Sequence, residues 1–408
     1  MLSLPSSVEA YSVMTHEELI DLAWSGSIRP LLVARYPGLT ELQLREAHAY
    51  AYGGCVIQDM GYYPFGNAFF SDLTHYVRTG DFISTLFRDA KNADELAFAV
   101  GALSHYIGDS IGHSLATNRA TAVAFPKLEK EYGDSVTYDE SPHAHVRTEF
   151  AFDIGRLAKH HFAPPDYLKH VGFQVPVKLL RQAFVETYGI PPKEIVGATH
   201  PALKSYERSV RSFIPAVSSA EVVLHGKQFP PDSGDPEDEL FVKRLSQTAF
   251  ERDPRWRNNY GEPGFKAHTL AFVFRLLPKV GPLSMLAIKI PTVQTDDWYL
   301  HSVVHAVDEL RRVLDGLHDG STPKLNNLDL DTGTEARPGA YKLTDETYAK
   351  LLDELIGKHK ATTIPAGLRE NILGFYADPN APNAVKSKPD KWQRVQTELV
   401  VLRGMKGK

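Results

Sequence analysis

The chain is 408 residues long, with 45 Lys and Arg against 50 Asp and Glu, and its formal net charge is −5. Hydrophobic residues make up 43% and charged residues 23%, a balance that buries a core and excludes disorder throughout. The acidic balance excludes a global basic field for nucleic acid or anionic lipid, and no run approaches the roughly 18 uncharged apolar residues of a membrane span. The single cysteine, Cys55, excludes an intrachain disulfide framework and any Cys-rich zinc site. Histidine stands out: there are 17, and nine fall at or before His161.

Residues 1–10 read as a leader. Val8-Glu9-Ala10 looks like the small-residue end of a secretory signal, but the charged and apolar segments that should precede it are missing. Either a signal is truncated here or the stretch is a plain flexible leader. Helical periodicity then dominates. Thr15-His16-Glu17-Glu18 matches a capping box, followed by the apolar stripe Leu19, Ile20, Leu22 and Ala23, with a stop expected at Gly26. Further helices are expected from Thr40 to about Gly61, from Phe69 to Val77 with a stop at Gly80, from Ala93 to about Ala116, and from His145 to Leu157. Residues 226–237 read as a linker, and helical patterns resume at Trp298–Leu317, Asp345–Ile356 and Lys391–Arg403. Period-2 runs are scarce, so the fold class is all-α. The expected organisation is a leader (1–10), a helical domain bearing the chemistry (11–225) and a helical C-terminal extension (238–408).

The longest helix carries His105-xxx-Asp109-xxx-His113, and residues four apart share one helical face. A second pair, His145-xxx-Glu149, has the same spacing; His143, two residues earlier, should point off that face. His16, Asp59 and His75 are isolated candidates on earlier segments. One such His-acid pair is usually a surface contact. Two pairs with a third histidine aligned on one of them favour metal, because imidazole and carboxylate are the zinc ligands open to a chain without a cysteine cluster. Asp109 lies among Ala102, Leu103, Ile107 and Ile111, where a charge is costly without a cation or donor. Gly108 and Gly112 inside the same helix ask for close approach of another backbone or room for a ligand. His301-xxx-His305 lacks the Glu of a metalloprotease motif, and Asp329-Leu-Asp331-Thr-Gly333 lacks the calcium-loop register and reads as a solvated turn.

The order His16, Asp59, His75, His105, Asp109, His113, His145, Glu149 resembles the bacterial zinc-dependent phospholipase C family, whose all-helical fold is shared by fungal and plant zinc nucleases. The resemblance spans roughly Tyr11 to residue 160, and it implies a multi-helix bundle holding up to three Zn2+. Asp59, His75, His105 and Asp109 would hold the first. His113, His145 and Glu149 would hold the second. His16 and the chain's own amino terminus would hold the third, bridged by Asp109, with Tyr11 the candidate terminus after cleavage. The implied activity is phosphodiester hydrolysis of phospholipase C type, a zinc-activated hydroxide attacking the phosphorus of a phospholipid, with Asp59 as base or water-orienting group. A secreted or periplasmic enzyme with transient membrane-surface contact is expected.

Departures limit the transfer. The gap from His105 to His113 is shorter than in relatives. Met60 and Asp72 stand where choline-selective members carry aromatics, so choline selectivity does not carry over. Tyr62, Tyr63, Phe65, Phe69 and Phe70 either line a lipid-receiving rim or fill the core. A zinc nuclease of the same fold is the rival, weakened by the acidic balance and the lack of a basic-aromatic groove. A non-catalytic zinc-binding helical protein is the other, and a closed zinc shell would favour it. No specific nucleic-acid partner is expected.

Overall fold

The computed structural model describes residues 12–191, 201–258, 260, 263–277, 286–317, 320–358 and 363–405. These form an all-α molecule whose one sheet, among the described residues, is a two-stranded hairpin. In chain order the elements that build the site are α1 (Val13–Ala23), α2 (Glu41–Gly54), α3 (Ala68–Tyr76), α4 (Thr79–Asp89), α5 (Ala93–Gly112) and α6 (Pro142–Ala158). Beyond them lie α7 (Ile214–His225), α8 (Val293–Asp315), the hairpin β1 (Leu328–Asp329) and β2 (Thr334–Glu335), and α9 (Lys342–Leu352). The hairpin pairs antiparallel, Leu328 with Glu335 and Asp329 with Thr334. No described helix is long and apolar enough to cross a membrane.

The central rod is α5. It starts at a conventional signal, the Asn92 side chain accepting the backbone N–H of Glu95 at 2.9 Å with two acids in the first turn. α2 packs closest to it because both helices thin to glycine at the crossing. A Cβ on Gly54 would meet the Phe98 carbonyl at 2.2 Å, and one on Gly101 would meet the Ala51 carbonyl at 2.2 Å. α8 and α1 flank the rod on other faces. One buried apolar core runs without a break from Val13 to Leu402 and so includes residues on both sides of 226–237. Asp232, inside that stretch, accepts from Lys159 of the α6 end at 2.7 Å, and Lys159 also donates to Asp296 of α8 at 2.8 Å. A second, smaller cluster joins Phe150 and Ile154 of α6 to Val217 and Ala220 of α7.

Several expected boundaries change. Thr15 is not a helix cap: α1 begins at Val13 with Ser12 at the cap position, and its exposed backbone donors are met from elsewhere. Asp153 of α6 accepts the N–H groups of Met14 at 3.0 Å and Thr15 at 3.2 Å, and the Thr15 hydroxyl at 2.6 Å. A carboxylate distant in sequence replaces the local box. Gly26 is not a stop either, since a π turn (Trp24–Ile28) carries the chain straight into Arg29–Arg35. Gly80 lies inside α4 rather than ending a helix, and its missing side chain makes room for the Asn326 carbonyl, 2.3 Å from where a Cβ would sit.

The stretch Asp329 to Gly333 is not a solvated turn. Asp329 and Asp331 are buried because their carboxylates find donors inside the molecule: Thr344 donates to Asp329 at 3.1 Å, and Tyr341 to Asp331 at 2.6 Å. Of the five aromatics after Asp59, Tyr63, Phe69 and Phe70 are core, Tyr62 is half-buried, and Phe65 is 80% exposed at a left-handed φ of 67°.

Candidate metal centre

Four elements bring the first cluster together. Asp59 sits on the 3-10 turn Ile57–Tyr62 that follows α2. This turn is pinned on both sides: the Gln58 amide donates to the Ala102 carbonyl of α5 at 2.8 Å, and the Gly61 N–H donates to the Ser71 hydroxyl of α3 at 2.9 Å. His75 comes from α3, His105 and Asp109 from α5, and His16 from α1. Gly108 lets α1 approach, because a Cβ there would meet Leu19 at 2.9 Å and the His16 ring at 3.4 Å. Gly108 thus makes room for two side chains of α1, Leu19 and His16.

All five side chains are fully buried. The Asp109 carboxylate lies at the middle, with Oδ1 3.3 Å from His16 Nε2 and Oδ2 3.0 Å from His105 Nε2 and 3.3 Å from His75 Nε2. Asp59 Oδ1 is 3.3 Å from His75 Nε2. Two ring nitrogens are fixed by carbonyls, which only accept. His75 Nδ1 donates to Ser71 O at 2.8 Å and His105 Nδ1 to Cys55 O at 3.0 Å. In the neutral form that binds a metal, both rings therefore present the Nε2 lone pair on the side of the carboxylates, the arrangement that metal-ligating histidines adopt.

The second cluster follows along the same rod. α5 ends at Gly112 and passes into a π turn (His113–Thr117) that starts at His113 itself. Between His105 and Gly112 the helix is regular, and the widening begins only at His113. His145 and Glu149 stand one turn apart on α6, which Pro142 opens at its first position. His145 Nε2 is 2.8 Å from Glu149 Oε1, His113 Nε2 is 3.7 Å from the same oxygen, and the two imidazole rings are 4.9 Å apart. His113 Nδ1 donates to the Leu330 carbonyl at 2.9 Å. His143 lies on the same helix and is exposed, away from the cluster. Tyr11 lies outside the described residues.

Electrostatics differ between the clusters. Burial lowers the His75 imidazole, but the Asp109 and Asp59 carboxylates beside it outweigh that and raise it well above its ordinary value. Burial pushes the Asp109 carboxyl up, and the imidazoles of His105, His16 and His75 overcome that and hold it well below the carboxylate range. In the second cluster burial wins. It drives His145 down to about 4 and Glu149 well above the ordinary range.

The residues fit zinc on two counts. The donors are imidazole and carboxylate. Both oxygens of Asp59 and of Asp109, Nε2 of His113 and His145, and Glu149 Oε1 are buried and make no hydrogen bond among the described residues. Such atoms are costly unless a cation takes them. Three groups in this region place donor atoms within 4.8 Å of one another: His16, His105 and Asp109; Asp59, His75 and His105; and His113, His145 and Glu149. Tyr62 and Tyr138, both partly exposed, set their rings 5.9 Å from His75 and 6.0 Å from His145. His301 and His305 stand apart on the outer side of α8, with their Nε2 atoms 3.0 Å from each other.

One residue beside the site has no local sequence signal. Asp331 Oδ1 lies 3.9 Å from His113 Nε2. It comes from the hairpin, more than 200 residues down the chain, and only the fold brings it here. A family model for zinc dependent phospholipase C matches residues 15–195, a segment that contains every described metal-type donor from His16 to Glu149 and leaves Asp331 outside. No curated protein and no solved structure matches the chain.

Proposed function

We propose, from the match of residues 15–195 to the zinc dependent phospholipase C family model, that the chain is a zinc-dependent phosphodiesterase acting on a phospholipid. The observation that carries this reading is the set of buried, hydrogen-bond-orphaned donors with two imidazoles locked to present Nε2 inward. Asp59, His75, His105 and Asp109 would hold one ion, His113, His145 and Glu149 a second, and His16 with Asp109 a third. Zinc in this setting supplies an acidified water as nucleophile and positive charge against the phosphate and leaving oxygens.

The chain's own groups do the rest. Asp59 Oδ2 lies 3.9 Å from His105 Nδ1 and Oδ1 faces His75, so this carboxylate is placed to orient a water or take its proton. Asp109 gathers three imidazoles about one carboxylate and so sets the spacing of the first cluster. The half-buried Tyr62 and Tyr138 lie beside these donors, Tyr62 donating to Asp72 at 3.4 Å. Met60, which is buried, and Asp72 stand where choline-selective members carry aromatics, so a choline-selective cage is not proposed.

The test is metal analysis of the purified chain combined with turnover of phosphatidylcholine, phosphatidylethanolamine, sphingomyelin and single-stranded DNA. Bound zinc with zinc-dependent cleavage of at least one lipid diester is the expected result. DNA cleavage without lipid turnover would move the assignment to a zinc nuclease, and a zinc-loaded chain inert on every diester would make the centre structural.

A further inference from the structure

The hairpin is fastened to the metal centre by its backbone. Leu330 donates its N–H to the His75 carbonyl at 3.1 Å and accepts from His113 Nδ1 at 2.9 Å. The Asn118 amide, just past the π turn, donates to the Asp331 carbonyl at 2.9 Å. Gly333 closes the turn at φ 68°, and a Cβ there would meet the Ser110 carbonyl of α5 at 2.3 Å. Only glycine meets both demands.

So held, Asp331 is fully buried and its two oxygens have different surroundings. Oδ2 accepts from the hydroxyls of Tyr76 at 2.9 Å and Tyr341 at 2.6 Å. Oδ1 makes no hydrogen bond among the described residues and points to the second cluster, 3.9 Å from His113 Nε2. Zinc with ligands at about 2.0–2.2 Å keeps neighbouring donor atoms roughly 3.3 Å apart in a tetrahedron. His113, His145 and Glu149 lie close to that spacing, with separations of 2.8 Å and 3.7 Å, and Asp331 approaches this group on the His113 side at 3.9 Å. Two phenols on one carboxylate oxygen are also the kind of outer support that aims a ligating carboxylate.

We propose that Asp331 is the fourth protein ligand of the second metal, completing His113, His145 and Glu149 from outside the family segment. This rests on the zinc reading above. The second ion is then enclosed by four protein ligands, as the first is, and the coordination positions open to substrate belong to the ion that His16 and Asp109 would hold. It also ties a metal site of the residue 15–195 segment to the folding of the chain's last third.

The test uses the full-length chain, stripped of metal and titrated with Zn2+ and with Co2+ as a spectroscopic probe. Asp331→Asn should weaken one ion by about 10- to 100-fold, the same ion that His145→Ala removes, and should change the Co2+ visible spectrum. Tyr341→Phe keeps the carboxylate but leaves Tyr76 as the one hydroxyl holding Oδ2, and should weaken that ion to a lesser degree. A merely structural Asp331 would lower the stability of the metal-free chain and leave the titration of folded protein unchanged. A wild-type titration for folded Asp331→Asn overturns the proposal and leaves the zinc reading intact. If Asp331→Asn fails to fold, unchanged affinity in Tyr341→Phe overturns it instead. A wild-type chain that binds no metal overturns both.

Discussion

The two clusters are built by opposite routes. The first gathers three imidazoles around one carboxylate, and most of its charges compensate one another before any cation arrives: His75 and His105 are raised and Asp109 is depressed, while burial still lowers His16. The second sets Glu149 between two imidazoles with Asp331 beside His113, and there burial prevails, so His145 is kept neutral and Glu149 is driven toward its protonated form. One site is held together by its own residues; the other waits for a cation. Zinc should therefore matter structurally more to the second.

The largest effect that bears on this contrast is metal removal. A ligand at a thousand times its dissociation constant stabilises a fold by about 4 kcal/mol per site, so chelation should lower the melting temperature by many degrees. If the contrast holds, amide exchange should rise more across residues 142–149 and 328–333 than across 105–109. Equal loosening of both would break it.

Asp109→Asn comes next. An amide keeps the shape but loses the charge that three imidazoles share. Turnover should fall by more than about 100-fold, and zinc content should fall further than in Asp59→Asn, which serves a single ion. Metal analysis giving equal occupancy in the two variants would remove the bridge from the first cluster.

Acid and base should also separate the clusters in the metal-free chain. The folded value of His145 lies below its unfolded value of about 6.5, so its stabilising contribution is complete above that pH and is lost as pH falls toward about 4. His75 and His105 lie above it, so their contribution is complete below about pH 6.5 and is lost as pH rises through their folded values. Nitrogen-detected NMR of the imidazole rings would read this directly. His145 should stay neutral while His75 and His105 are protonated at pH 6.5, and a shared titration would erase the distinction.

The smallest effect concerns how α1 presents His16. Asp153→Ala deprives two backbone N–H groups and one hydroxyl of their acceptor. It should cost about 1–3 kcal/mol in chemical denaturation. The damage should reach the first cluster before the second, seen as weaker binding of the ion that His16 holds.

What was legible in the sequence follows the range of the interactions. Spacing of four along α5 and α6 placed His105, Asp109, His145 and Glu149 correctly because helical geometry is local. The all-α class followed from the same periodicity. The capping box failed at Thr15 because its hydroxyl had a better partner, Asp153, that no local pattern reveals. Asp331 escaped for the same reason. Asp-x-Asp-x-Gly between turn residues looks solvated until Tyr76, Tyr341 and Thr344 are known to cover it. The exit at Gly26 was misread because glycine permits a π turn as readily as an end.

The π turn at His113 sets a rotational phase for everything after it. An α-helix advances about 100° per residue, so one residue more or fewer between Asp109 and Asn118 would swing the Asn118 amide off the Asp331 carbonyl and leave the hairpin without that anchor. The helix is therefore length-locked at this point: side chains on its surface are free to change, but an insertion or deletion would put the two halves of the molecule out of step.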